Sequence, residues 1–71
     1  MTLEELRNAN DMSQQQLADA TGLTQGYISA LERGVKKNPG QVVVKKLAIV
    51  LNVSTDTILK LFPDTLRKGK K

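Results

Sequence analysis

The sequence predicts an all-α domain of five short helices, and three observations carry that prediction. Hydroxyl residues stand at four helix-start positions, Thr2, Ser13, Thr24 and Ser54. A side-chain oxygen there accepts from N–H groups that the first turn leaves unpaired. Between these caps, apolar residues recur at spacings of three and four, the period of one helix face. No segment pairs strict apolar–polar alternation with a partner segment, as a sheet would need. At 71 residues the chain makes one domain, close to the size at which a single core is only marginally stabilising.

Thr2-Leu3-Glu4-Glu5 has the capping-box pattern, with Thr2 as N-cap and Glu5 three residues on. The first helix then runs to about Asn10, with Leu3, Leu6 and Ala9 expected inward, and Asn10-Asp11 breaks it. Ser13 caps a second helix to about Thr21, burying Leu17 and Ala18, with Gly22 as its stop. Thr24 caps a third helix in which Ile28 and Leu31 face the core, and Gly34 ends it. Val35 to Gly40 is a loop on turn chemistry, since Asn38-Pro39-Gly40 disfavours helix at each step. The fourth helix spans about Gln41 to Leu51, with Val44, Leu47, Ala48 and Leu51 at i, i+3, i+4 and i+7. The β-branched run Val42-Val43-Val44 lacks alternation and a partner strand, so helix is the better reading. Ser54 caps a fifth helix through Ile58, Leu59, Leu61 and Phe62, and Pro63 stops it. The domain is expected to occupy residues 1–66, leaving 67–71 (Arg-Lys-Gly-Lys-Lys) as a basic disordered tail.

Composition removes whole classes of function. There is no cysteine and no histidine, which excludes disulfides, Cys/His metal sites and catalysis by either residue. No Gly-rich phosphate loop and no paired carboxylates on one face suggest an enzyme, so no catalytic residue, cofactor, metal or small-molecule ligand is expected. No apolar run approaches the ~18 residues of a membrane span, and Met1 to Ala20 has no signal-peptide core. The expected setting is the cytoplasm, in association with the nucleoid. Charge is divided unevenly: residues 1–32 carry one arginine against five carboxylates, net −4, whereas residues 33–71 carry ten Lys/Arg against two aspartates, net +8. A basic half on a small, aromatic-poor domain suggests a polyanionic partner, although a solvated surface has the same composition.

Residues 13–33 read as two short helices joined by a tight turn at Gly22, the second with small polar side chains outward. That is the layout of a helix-turn-helix. Around it, Leu6-Arg7, Ser13-Gln14, Leu17-Ala18, Gly22, Ile28-Ser29, Leu31-Glu32-Arg33-Gly34, Pro39, Leu47-Ala48, Leu51, Val53 and Ser54 fall in one register. With these residues the chain resembles the Cro/cI-type helix-turn-helix family of bacterial and phage regulators, also called the XRE family, over residues 2 to 62. The resemblance implies a compact five-helix, lambda-repressor-like DNA-binding domain. Its third helix would enter the major groove, and its closing helices often supply a dimer contact. Two features depart from the family pattern. The loop after Gly34 is about one residue longer than the commonest spacing, and Gly26 and Ala30 stand where many relatives carry long polar side chains.

On the third helix, Gln25 offers a carboxamide donor and acceptor that pair bidentately with adenine N6/N7. Ser29 suits a base or a phosphate, Ala30 a thymine methyl, and Gly26 a close backbone approach or a tolerated surface position. Tyr27 reaches a phosphate or a sugar, or else covers the side of the core. Gln14, at a helix N-terminus, resembles the family's phosphate-contacting glutamine, which also braces Gln25. Thr24, Arg33, Lys36, Lys37 and Asn38 complete the candidate backbone contacts. The resemblance makes Arg7 and Glu32 a partly buried salt bridge. Val43, Val50, Leu59, Phe62 and Leu66 exceed the apparent needs of a core this small. Val43, Val50, Leu59 and Phe62 form a candidate dimer patch, with core packing or a disordered hydrophobic tail-end as the alternatives. The function expected is sequence-specific binding of a double-stranded, near-palindromic DNA operator by a transcriptional regulator, with repression as the default outcome. It would act as a homodimer, formed in solution or only on DNA. The chain is expected to be a compact regulator or the DNA-binding half of a longer one. The alternative is a protein-interaction module of the same fold, resembling an antitoxin or coactivator.

Overall fold

The computed structural model describes residues 2–63; the expected basic tail at 67–71 and the expected domain end at residue 66 lie outside the described residues. Five helices follow one another: α1 (Leu3–Ala9), α2 (Gln14–Thr21), α3 (Gln25–Glu32), α4 (Gly40–Leu51) and α5 (Thr55–Leu61). Among the described residues there is no strand, and the Val42-Val43-Val44 run is helical.

Four of the five helices start on a side-chain cap. Thr2, Ser13, Thr24 and Ser54 each accept from the amide three residues on. Thr2 with Glu5 and Ser13 with Gln16 close full capping boxes. The second of these boxes is legible in Ser13-Gln14-Gln15-Gln16 by the same rule as the first. The fourth start differs. No side chain caps α4; Gly40 enters it at φ +84°, after a buried Pro39. Stops are equally local. Gly22 is left-handed at φ +76°, and Leu23 N–H donates to Ala18 O at 2.9 Å, closing the end of α2. Asn52 plays the same part after α4 at φ +60°.

The core is one cluster built from all five helices, with Leu17, Ile28, Leu47, Leu51 and Ile58 its largest fully buried side chains. Helix α2 sits at its centre, packed on α3 at one side and α4 at another, while α5 closes against α4. Two expectations need correction. Ala9 is exposed, because α1 turns Leu3, Leu6 and Arg7 inward, and that i, i+3, i+4 face leaves Ala9 on the far side. Phe62 is only 6% exposed and belongs to the core rather than to a surface patch. It follows the last turn of α5 with its amide bonded to Leu59 O, which folds it back under the bundle. The large apolar residues that do face solvent are Val35, Val42 (65%) and Ile49 (79%).

The helix-turn-helix glycines make opposite demands. A Cβ at Gly22 or at Gly26 meets no atom within 4 Å, so backbone conformation alone decides the outcome. Gly22 is left-handed, and Gly22→Ala is expected to lower unfolding free energy by ~1 kcal/mol. Gly26 lies within α3, and Gly26→Ala is expected to raise it by ~0.5–1 kcal/mol. Urea denaturation of the two variants measures both, and equal signs would contradict this account.

Candidate nucleic-acid interface

The outward side of α3 is assembled from residues that have nothing to do in the core. Ile28 and Leu31 point in, so Gln25 and Gly26 are left exposed, with Ser29 and Ala30 half-buried along the same helix and Arg33 exposed at its end. Arg33 Nε donates to Ser29 Oγ at 3.1 Å, which joins those two on one turn. Thr24 is occupied as the cap of α3, its Oγ1 accepting from Tyr27 N–H at 3.1 Å. The exposed face therefore offers amide, hydroxyl, methyl and guanidinium groups over an uncharged stretch of backbone.

Behind this face lies a chain of polar contacts that crosses three helices. Arg7 on α1 is buried, and its Nε donates to Glu32 Oε2 at 2.6 Å while Nη2 donates to Oε1 at 3.2 Å. The side chains are 11% and 5% exposed, so this fork-on-carboxylate pair is largely removed from water. Arg7 Nη1 also donates to Met12 O at 2.8 Å and to Asn8 Oδ1 at 3.3 Å. Gln14 on α2 donates Nε2 to Glu32 Oε1 at 2.9 Å. Its Oε1 in turn accepts from Gln25 Nε2 on α3, a longer contact of 3.4 Å. Gln14 is thus half-buried and engaged on two sides. Burial pushes the Glu32 carboxyl up, but the hydrogen bonds from Arg7 and Gln14 and the charge of Arg7 outweigh it and hold the group below its ordinary value. The bond to Glu32 raises the Arg7 guanidinium further, against its burial.

Tyr27 is half-buried and turned toward the loop. Its hydroxyl donates to Pro39 O at 3.4 Å, and Lys36 Nζ lies 5.4 Å from the ring centroid, within cation–π range. Burial raises its phenol above the ordinary value. The start of the loop is pinned to α3, since Val35 and Lys36 N–H both donate to Ala30 O, at 3.0 and 3.1 Å. Lys36, Lys37 and Asn38 are exposed beyond that pin, adjoining the end of α3. Tyr27 and Asn10 carry roles that the sequence reading did not assign. Asn10 Nδ2 donates to Leu6 O at 2.9 Å and Leu51 O at 3.4 Å, fastening the end of α1 to the end of α4. Asparagine at a helix end signals a local cap, but its second, distant partner has no signature in the sequence.

A helix-turn-helix family model matches residues 3–58, which is most of the described chain. The chain belongs to the helix-turn-helix family. This is a family of DNA-binding regulators rather than enzymes, and the relatives that the chain matches are named as transcriptional regulators. The chain is 32% identical over 75 residues to the Uncharacterized HTH-type transcriptional regulator RghRB of Bacillus subtilis (strain 168), an alignment that covers 97% of this chain and 54% of the relative. It is 29% identical over 68 residues to the HTH-type transcriptional regulator SinR of Bacillus licheniformis, covering 96% and 61%. Against SinR of Bacillus subtilis (strain 168) the identity is 32% over 57 residues, covering 80% and 51%. The chain spans between half and three-fifths of the length of these curated relatives. Among the described residues no helix is long and apolar enough to cross a membrane, and no group of three His/Cys/Asp/Glu is placed to hold a metal ion.

In this helix-turn-helix protein, breaking the ion pair from either side is costly, and the lowered Glu32 value ties stability to pH. Arg7→Ala leaves Glu32 buried without its cation and is expected to lower unfolding free energy by ~3 kcal/mol. That loss corresponds to a fall in Tm of roughly 15 °C for a domain of this size, read by thermal melting. Glu32 titrates lower in the folded state, so as pH falls the unfolded chain takes up this proton first. The stability it contributes is complete above the ordinary glutamate value of 4.5 and is lost as pH falls through the lowered folded value. Glu32→Gln is expected to flatten that acid limb in urea titrations below pH 4.5. An unchanged slope would show that Glu32 does not link protonation to folding.

Proposed function

We propose that this chain is a sequence-specific, double-stranded DNA-binding transcriptional regulator that docks α3 in the major groove. The observation that carries the reading is the outward set of Gln25, Gly26, Ser29, Ala30 and Arg33, held on a helix whose other face is locked into the core. Gln25 presents a carboxamide for a bidentate contact with adenine N6/N7, Ser29 reaches an adjacent base edge, and Ala30 packs against a thymine methyl. Gly26 lets the helix backbone approach the groove. Gln14, Thr24, Tyr27, Arg33, Lys36, Lys37 and Asn38 contact the sugar–phosphate backbone and set the register without specifying sequence. Tyr27 acts there through its ring and the lysine above it, its hydroxyl being turned to Pro39.

The regulator binds a near-palindromic operator as a two-fold homodimer, with half-sites one helical turn (~34 Å) apart. Half-buried Val43, Val50 and Leu59, beside exposed Val42 and Ile49 on α4, supply the apolar surface of the dimer contact. Occupation of a promoter excludes polymerase, which makes repression on nucleoid DNA in the cytoplasm the outcome. The names of the relatives, as transcriptional regulators, support this reading. The exposed Val42 and Ile49 also favour a second reading, a module that grips another protein through α4. Salt separates the two, because only a binder of ~6–10 phosphates loses ~10³–10⁵ in affinity between ~50 and ~200 mM salt.

Selection from random duplex DNA tests the proposal, with an enriched palindrome as the expected result and no enrichment as the result that refutes it. On the selected operator, Gln25→Ala is expected to cost ~1–3 kcal/mol and to relax preference at one base position per half-site. Replacing Lys36 and Lys37 together by alanine should weaken all duplexes alike and lower the salt slope by roughly one per lysine. An unchanged slope would remove those lysines from the interface.

A further inference from the structure

We propose that the ionised carboxylate of Glu32, a residue that does not reach the groove, selects which base Gln25 reads by fixing the polarity of the Gln14 amide. The inference rests on the proposed function and deepens it. A primary amide has one accepting end and one donating end of nearly the same shape. Here chemistry decides. An ionised carboxylate only accepts, so the end of Gln14 that lies 2.9 Å from Glu32 Oε1 is its Nε2. Its Oε1 is thereby left facing Gln25, which meets it with Nε2 at 3.4 Å. The carboxylate stays ionised because Arg7 holds both of its oxygens, at 2.6 and 3.2 Å.

The consequence lies at the tip of Gln25. One of its two N–H groups is taken by Gln14, and the other remains free beside an unoccupied Oε1. A free donor next to a free acceptor is the pair that adenine N7 and N6–H₂ require. With Gln14 reversed, its Nε2 would face Gln25 and claim Oε1, leaving two N–H donors for the groove. That edge suits guanine N7 and O6 instead. The charge on Glu32 thus reaches the base through two glutamines on two different helices, and Glu32 is a positioning residue for readout.

Glu32→Gln is the direct test. Arg7 keeps its shorter bond, from Nε to the Oε2 position at 2.6 Å, and gives up the longer one from Nη2 to the Oε1 position, so the new amide turns its NH₂ toward Gln14 and reverses the relay. The measurement is selection from random duplexes by wild type and by the variant, with folding checked by circular dichroism. Wild type is expected to favour adenine at the position that Gln25→Ala relaxes. In Glu32→Gln the adenine-over-guanine ratio at that position should fall ~10-fold or more, while other positions keep their preferences. A folded Glu32→Gln that keeps its adenine preference overturns the inference and leaves the proposed function standing. Failure of wild type to enrich any position overturns both. Should Glu32→Gln not fold, Gln14→Ala retains the Arg7–Glu32 pair and cuts the relay. It is expected to weaken the adenine preference without a gain in guanine, and an unchanged adenine preference there refutes the inference.

Discussion

The arginine–carboxylate pair between Arg7 and Glu32 is the contact on which the arrangement of the first three helices depends. A charge pair is a poor source of net stability when well-packed apolar side chains are the alternative, because both groups must leave water. Its worth here is directional. The Nε–Nη2 edge presents two donors side by side, so bonding Glu32 through both oxygens restricts how α3 can turn relative to α1. Apolar packing of Ile28 and Leu31 alone would tolerate a wider range of rotations. The outward face of α3 is the reverse side of the same helix, so its orientation follows from this pair as well as from the core.

A domain this small has little hydrophobic surplus, and its helices of seven, eight and twelve residues are too short to persist alone. Local devices offset that weakness. Four hydroxyl caps, two capping boxes and left-handed stops at Gly22 and Asn52 satisfy the helix ends within a few residues of chain. Long-range polar contacts are few and concentrated at the junctions: Arg7 to Glu32, Gln14 to Glu32, Asn10 to Leu51 and Tyr27 to Pro39. The first two join helices that also pack against each other, α1 with α3 and α2 with α3. Helix α4 is the exception to local capping, and it is entered through Gly40 behind a buried Pro39 that Tyr27 holds in place. The loop that carries Lys36 and Lys37 is therefore anchored at both ends, to Ala30 O at its start and through Pro39 at its finish.

Helix starts, stops and the inward faces of α2, α3 and α4 were legible in the sequence because their causes are local. A hydroxyl and the amide three residues on, a glycine where the chain turns left-handed, or an apolar face at helical period needs no distant partner. The two misreadings have equally physical causes. Ala9 continues an apolar spacing, but α1 ends there and its inward face is completed by the buried Arg7, which period alone counts as polar. Phe62 looks surplus only if the core is taken to end with α5; the chain instead folds back and buries it. Resemblance to a family paired Arg7 with Glu32 and Gln14 with Gln25, two contacts that the structure contains, and the spacing of the residues that match carried it.

The sequence by itself therefore determined the number of helices, their limits, most of the core and the polar character of the outward face of α3. Each of these follows from interactions between residues within about one or two helical turns. Only the tertiary structure decided that Gln14 turns its amide nitrogen to Glu32 and its oxygen to Gln25, that Tyr27 braces Pro39, and that Val42 and Ile49 remain in solvent. Those contacts join residues 11 to 18 positions apart, or depend on what a whole core leaves uncovered. No local pattern along the chain records them, since they are set by how the helices pack; the pairing of Gln14 with Gln25 was reached only through the family resemblance, which left the direction of the amide open.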